Sequence, residues 1–196
     1  MPTITSYPEL VAETAKLPNF VFRGVKRSAT HKLIPSAGRG PTQDTRKVLR
    51  AEQHILKDFK RRALPFLPFQ PKDDWEWLAL AQHHGLPTRL LDWTTNPLVA
   101  AYFACSGSSE GEDSAVYAFR DGKSLDLNAN QNPFVVKSAT LVRPATVTAR
   151  IAAQDGVFTV HPDPRVAFTH PKLQTLVISS STRHRILRDI SRNGIN

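Results

Sequence analysis

Helical patterns occupy most of the first half of this chain of 196 residues, and runs rich in β-branched and aromatic residues occupy the second half. The helical patterns of the first half lie at 8–16, 44–63, 74–84 and 97–104. The later runs lie at 115–120, 134–142, 157–162 and 174–179, and a last helical pattern spans 182–193. This segregation favours an α+β domain over a doubly wound parallel sheet. We therefore expect helices packed on a predominantly antiparallel sheet.

Local signals refine this outline in the first half of the chain. Thr5 or Ser6 is expected to cap the first helix, and Asn96 to cap the apolar helix "PLVAAYFA". The segment "NFVFRG", residues 19–24, alternates in the manner of a short strand. The segment "LPTRLLDWTT", residues 86–95, is predicted to be a turn that connects two buried helices.

Composition limits the class of protein. Cys105 is the only cysteine, which excludes an intrachain disulfide, and no cluster of cysteines suggests a metal site. No apolar segment approaches the ~20 residues that cross a bilayer, and the amino-terminal stretch lacks a secretory pattern. We expect a cytoplasmic protein with no membrane association and no metal. A single domain is expected over 1–196, with an amino-terminal helix in 1–18 and a core in 19–196.

Positive charge is concentrated in one segment. Residues 23–62 contain twelve Lys or Arg against three acids, and the formal charge of the whole chain is +9. The rest of the chain is therefore close to neutral. A localised positive field attracts polyanions and phosphorylated ligands. A solvated basic helix face is the alternative interpretation, and the charge pattern alone does not decide between them.

Arg23 and Gly24 follow the aromatic residues of the first predicted strand. An arginine at the end of a strand can project into a cleft and bind phosphate with two nitrogens, and glycine lets a ligand approach the main chain. Taken alone, the dipeptide fits a surface turn equally well.

Four polar residues in the stretch from 81 to 104 are candidates for a site. His83 and His84 end a helix, and adjacent helical residues point about 100° apart, so one is expected to pack and the other to reach a cleft. Arg89 and Asp92 lie between apolar residues, where a charge must be paired or face solvent. An internal salt bridge between them and a catalytic role for Asp92 are both open.

The remaining candidates are ambiguous residue by residue. Trp93 is either a core residue or a stacking platform, and Thr94 and Thr95 either cap the next helix or bind a ligand hydroxyl. Gln154 either stabilises a turn or recognises a base through its amide.

Together these segments resemble the FRG domain, a bacterial and phage-associated module named for its Phe-Arg-Gly signature. The signature is "VFRGVKRSATHKLIPSAGR", and the longest matching block is "WEWLALAQHHGLPTRLLDWTTNPLVAAYFA". A later pattern with Arg150, Gln154, Gly156 and Phe158 also fits. The resemblance runs from about residue 19 to the end of the chain.

The layout is also similar to that of ADP-ribosyltransferases, which implies a split sheet and NAD as substrate. The resemblance implies catalytic roles for Arg23, His83, Asp92 and Gln154. It implies an NAD pocket formed by Phe22, Arg23, Gly24, Arg27, Arg39, His84, Arg89, Trp93, Thr94 and Thr95. One departure is serious: no glutamate follows Glu112, so the late carboxylate of those enzymes is missing. Asp92 or a histidine must replace it, or the protein does not catalyse transfer.

Three functions follow as expectations. The first is transfer of ADP-ribose from NAD to a nucleic-acid base, plausibly guanine, with DNA a more fitting acceptor than RNA. The second is a non-catalytic module that binds a nucleotide or nucleic acid. The third is a scaffold in which the polar residues only fix a loop. A toxin or phage-defence role fits the first function, and an antitoxin or hydrolase partner is not readable from the sequence.

Overall fold

Seven strands form one open sheet in the computed structural model, which describes residues 2–42, 44–107, 111–120, 122, 124–144 and 155–195. The described strands are β1 (Thr3–Ile4), β2 (Val21–Val25), β3 (Leu90–Thr94), β4 (Ser114–Phe119), β5 (Thr140–Val142), β6 (Gly156–Val160) and β7 (Gln174–Ile178). Their order across the sheet is β1-β7-β4-β2-β3-β6-β5. Within these strands β1 and β7 pair in parallel and the other pairs are antiparallel. The expected α+β class with a predominantly antiparallel sheet is confirmed.

Five α-helices pack against this sheet in the described part of the chain. They are α1 (Tyr7–Ala15), α2 (Thr45–Ala63), α3 (Asp74–His83), α4 (Pro97–Cys105) and α5 (Arg183–Arg192). Side chains of the preceding residues accept hydrogen bonds from free N–H groups of the first turn in four of them. These capping residues are Ser6, Asp44, Asp73 and Asn96.

The sheet is divided at its centre, where β2 meets β3. β2 pairs with β4 over five register positions, and β3 pairs with β6 over five. β2 and β3 share one pair, Phe22 with Thr94. The ladder between the two halves is therefore limited to this position.

Helices cover one face of the sheet in two groups. Residues of α1, α4 and α5 form one core cluster with β1, β2, β4 and β7. Residues of α2 and α3 form a second cluster with β3, β5 and β6. A third cluster, which includes Val21 and Trp93, lies on the opposite face because successive strand residues point to opposite sides. The split in the sheet thus lies beneath the gap between α3 and α4.

Gly24 determines how closely α4 approaches β2. A Cβ atom at this position would lie 1.8 Å from the main-chain oxygen of Ala100 and 2.6 Å from the nitrogen of Ala104. No side chain fits at such distances, so α4 crosses directly over the glycine. The sequence suggested a turn or a ligand approach at Gly24, and the structure adds this helix contact.

Two sequence-based expectations about secondary structure are wrong. The segment predicted to be a turn contains β3, a central strand whose apolar residues Leu90, Leu91 and Trp93 are buried on both faces. A strand buried on both faces does not alternate clearly between apolar and polar residues, which hid it. The run 134–142 was expected to be one strand, but it contains the end of a 3-10 turn, Pro133–Val135, and the shorter strand β5.

Candidate functional site

A cleft of about 670 Å³ opens between α3 and α4, above the junction of β2 and β3. Clefts of about 300–1,000 Å³ are typical of sites for small molecules and cofactors. Its lining comes from β2 and the residues after it, α3, β3, α4 and β6. Polar and charged side chains in the lining are Arg23, Lys26, Arg27, His31, Gln82, His83, Asp92 and Thr94.

Arg23 bridges the two halves of the sheet. Its Nη1 donates a hydrogen bond of 2.7 Å to the main-chain oxygen of Asp92, and lies 3.5 Å from Oδ2 of the same residue. Continuation of the Phe22–Thr94 register would place Gly24 opposite Asp92. The guanidinium therefore occupies the gap where the ladder between the halves has ended.

The environment of Arg23 is unusual for a cation. Only 14% of its side chain is exposed, and burial lowers the pKa of its guanidinium, an effect that the charge of Asp92 opposes. The Nε atom is buried and makes no hydrogen bond to any described residue. A buried donor without a partner is costly, so this atom is suited to an acceptor that enters from the cleft.

The carboxylate of Asp92 is held by a chain of hydrogen bonds from α3. Gln82 Nε2 donates to Asp92 Oδ1, and Thr88 Oγ1 donates to Gln82 Oε1. The side chain of Asp92 is nevertheless 61% exposed. It is also the only acidic residue among the described residues that line the cleft. Asp92 is thus a fixed, solvent-facing carboxylate beside Arg23.

Sequence reasoning missed Gln82 and His31. Gln82 lies one residue before the histidine pair, on the last turn of a helix that points at the cleft. His31 lies within the signature block between Val21 and Arg39, and its place in that block is the signal that could have found it. Both residues line the cleft.

The two adjacent histidines separate as their helical spacing requires. His83 lines the cleft. The His84 ring packs against Phe59 of α2, with ring centroids 5.8 Å apart, and His84 is not part of the cleft lining. His84, expected to bind the ligand, instead joins α2 to the end of α3.

Arg89 requires a correction, because its partner is Glu52 and not Asp92. Its Nη2 lies 2.7 Å from Glu52 Oε2, and both side chains are almost fully buried, at 1% and 3% exposure. The guanidinium also stacks over the ring of Phe134 at 4.7 Å. Arg89 is not part of the cleft lining, so this buried ion pair fixes α2 against β3 and leaves no guanidinium for a ligand.

Trp93 and the threonines divide between core and cleft. The residue Trp93 is 3% exposed, and its Nε1 donates a hydrogen bond of 3.0 Å to Thr159 Oγ1. Its ring packs against Phe119 and Phe168, which supports the core alternative, and the residue also borders the cleft. Thr94 lines the cleft and accepts a hydrogen bond from the Asn96 N–H, whereas Thr95 is exposed and outside the lining.

Of the basic residues that follow β2, two line the cleft and Arg39 does not. Lys26 and Arg27 line it, and Arg27 Nε forms an ion pair of 2.9 Å with Glu112. Arg39 does not line it, and its Nε donates to the main-chain oxygen of Ile34. Gln154 lies outside the described residues.

A family model of the FRG domain matches residues 18–113. Residues 18–113 belong to the FRG domain family. Searches of curated proteins and of solved structures gave no significant match. The sequence-based identification of the family is therefore confirmed over residues 18–113. Its extension to the end of the chain and the resemblance to ADP-ribosyltransferases stay predictions.

The FRG match and the cleft coincide. All residues of the lining lie within 18–113 except Gly156 and Phe158 of β6. The phenylalanine, arginine and glycine of the signature are Phe22, Arg23 and Gly24, all in β2 and all in the lining. The FRG signature therefore forms the floor of this cleft.

Two further observations concern the described part of the FRG chain. No helix there is long and apolar enough to span a membrane. No group of three or more His, Cys, Asp or Glu side chains is arranged there to hold a metal ion.

Proposed function

We propose that this FRG domain transfers ADP-ribose from NAD to a base of a nucleic acid. The observation that carries the proposal is the arrangement of Arg23 and Asp92. A largely buried guanidinium and an exposed, fixed carboxylate lie side by side at the split of the sheet. Transfer of ADP-ribose needs one group for the diphosphate and another for the ribose cation, and this pair supplies both.

The basic side of the cleft would bind the diphosphate of NAD. Arg23 would form the main contact, and Lys26 and Arg27 of the lining would add positive charge. Arginine is suited to phosphate because its nitrogens donate in a fixed plane. His83 would hydrogen-bond the hydroxyls of the nicotinamide ribose from the end of α3.

Asp92 would act at the bond that breaks. Cleavage between nicotinamide and ribose leaves the bonding electrons on nicotinamide and a positive charge on the ribose. A fixed carboxylate stabilises that charge as it develops. A ring or amino nitrogen of the acceptor base then bonds to the ribose carbon and loses a proton, which Asp92 would accept. Gln82 would keep the carboxylate oriented.

The acceptor would be guided by the basic surface of α2. This helix contains seven Lys or Arg, and of its two acids Glu52 is buried and Asp58 forms ion pairs with Arg61 and Arg62. Binding of nucleic acid through such a surface weakens steeply as salt rises, because each phosphate contact releases counterions. DNA is the acceptor that we propose first.

The test uses purified protein, NAD and single-stranded DNA, duplex DNA or RNA. Wild-type protein should release nicotinamide and give a nucleic acid heavier by one ADP-ribose, and Arg23→Ala should abolish both products. Arg188→Ala is the matched control, because Arg188 is an exposed arginine of α5 outside the cleft lining. The proposal fails for these acceptors if wild-type protein gives neither product with any of them.

A second candidate function is a module that binds a nucleotide or nucleic acid without turnover. It is favoured by the last glutamate of the sequence, Glu112, which pairs with Arg27 before the late strands begin. Calorimetry separates the two functions. Binding of intact NAD over hours without nicotinamide release would support the module and contradict the transferase.

A further inference from the structure

Two residues that line the cleft each have a buried nitrogen atom without a hydrogen-bond partner among the described residues. Arg23 Nε and His31 Nε2 are both inaccessible to water, and neither makes a hydrogen bond to any residue that the structure describes. Both residues line the cleft. Leaving one such atom without a partner costs about 1–3 kcal/mol. Both residues line one cleft, and Arg23 is close enough for its charge to lower the pKa of His31, so we infer that a hydrogen-bonding partner belongs between them.

His31 is held close to Arg23 by the loop that follows β2. Its main-chain N–H donates a hydrogen bond of 3.1 Å to the oxygen of Arg27, which closes a turn after the strand. The loop continues to Arg39, whose Nε is bound to Ile34. The imidazole is therefore positioned by main-chain contacts, and its Nε2 has no hydrogen-bond partner among the described residues.

The charges around His31 favour the neutral imidazole. Burial first, and then the positive charges of Arg23 and Arg39, lower the pKa of His31 below its usual range. A neutral imidazole donates from one ring nitrogen and accepts at the other. Arg23 Nε can only donate. A ligand that satisfies both atoms needs at least one strong acceptor and gains from nearby positive charge.

We propose that Arg23 Nε and His31 Nε2 form a subsite for one phosphate group of the nucleotide ligand. Both nitrogens are closed to water in this structure, so binding requires the two side chains to turn toward the cleft. A phosphate oxygen then accepts from the guanidinium, and the same group accepts from the imidazole in the tautomer that carries its proton on Nε2. The inference rests on the proposed function for the identity of the nucleotide. It adds a ligand-binding residue that the sequence did not suggest.

Binding of ADP and of inorganic pyrophosphate tests the subsite without any chemical step. By calorimetry, His31→Leu, which has no hydrogen-bond donor, should weaken the binding of both by roughly tenfold or more, the effect of losing a hydrogen bond to a charged group. His54→Leu is the matched control, because His54 is an exposed histidine of α2 outside the lining. The control should bind both ligands like the wild type.

Wild-type protein provides a second readout that needs no stable variant. At fixed pH, pyrophosphate should move the NMR signals of the His31 ring and leave those of the His54 ring in place. The subsite is wrong if the His31 signals do not respond, if His31→Leu binds ADP as tightly as the wild type, or if His54→Leu weakens binding equally.

The subsite and the proposed function can fail separately. Tight binding of ADP that depends on His31, without nicotinamide release from NAD, would retain the subsite and reject the transferase. Nicotinamide release with an unchanged KM for NAD in His31→Leu would retain the transferase and reject the subsite.

Discussion

Arg23 Nη1 donates a hydrogen bond to the main-chain oxygen of Asp92 at 2.7 Å, across the point where β2 and β3 cease to pair. In a continuous sheet that oxygen would face a main-chain N–H of the neighbouring strand. The arginine replaces this contact and at the same time lines the cleft. Substitution of Arg23 therefore disturbs both the junction between β2 and β3 and the lining of the cleft. Tests of function need substitutions that change only one of these two features.

Asp92→Asn provides such a test. Asparagine keeps the shape of the side chain and its main-chain oxygen, but it removes the negative charge. Nicotinamide release should fall by roughly 100-fold or more, as for loss of a positioned proton acceptor. The melting temperature should change little, because the carboxylate is 61% exposed. Steady-state assays with NAD would check the rate, and an unchanged rate would remove Asp92 from the mechanism.

Gly24→Ala tests the contact between β2 and α4. The new methyl group would meet the main-chain oxygen of Ala100 at 1.8 Å, and main-chain atoms of a helix move only if the helix moves. We expect a loss of unfolding free energy of about 1–3 kcal/mol or more, as for overpacking of a core. Chemical denaturation measures it. Gly40→Ala is the control, since a Cβ at Gly40 meets nothing within 4 Å, and an equal loss there would refute the explanation.

The features that the sequence predicted correctly are those fixed by local contacts. Ser6 and Asn96 cap helices because their side-chain oxygens reach N–H groups two or three residues ahead. The α+β class followed from the segregation of helical and strand patterns along the chain. The separation of His83 from His84 followed from the geometry of one helical turn.

The features that the sequence did not predict depend on distant residues. Arg89 pairs with Glu52, which is 37 positions away in the sequence. From the sequence alone, Asp92 was an equally suitable partner for Arg89, because it is acidic and only three residues away. β3 was hidden because it is buried on both faces of a central position in the sheet. His31 joins the cleft only because the loop after β2 folds back toward Arg23. No hydrophobic periodicity in the sequence indicates these contacts between distant residues.

Glu52→Ala should destabilise the fold strongly while leaving the cleft chemistry intact. The substitution leaves the Arg89 guanidinium buried without its carboxylate partner, which costs about 3–5 kcal/mol. Urea denaturation measures the loss. The double substitution Glu52→Leu with Arg89→Leu removes both charges and should recover much of the stability. If the single and double variants unfold at the same denaturant concentration, the pair does not stabilise the contact between α2 and β3.

His161 should make the stability of the protein sensitive to acid. The residue is 2% exposed, and burial together with the charge of Arg89 lowers its pKa to about 4. Its Nε2 lies 3.0 Å from Thr159 Oγ1. That hydroxyl already accepts a hydrogen bond from Trp93, so it is free to donate to an unprotonated imidazole nitrogen. The folded state therefore holds His161 neutral.

The direction of the effect follows from proton binding by the two states. The unfolded chain binds a proton at this histidine near pH 6.5, and the folded protein only near pH 4, so acid favours the unfolded state between these values. The stabilisation of the folded state that depends on a neutral His161 is fully present above about pH 6.5. It decreases as the pH falls, by about 3 kcal/mol in all. Urea denaturation at several pH values would measure this loss. His161→Gln should be less stable at neutral pH but should lack this part of the acid sensitivity, whereas His54→Gln should retain it. Parallel stability curves for the wild type and His161→Gln across this range would show that another group titrates.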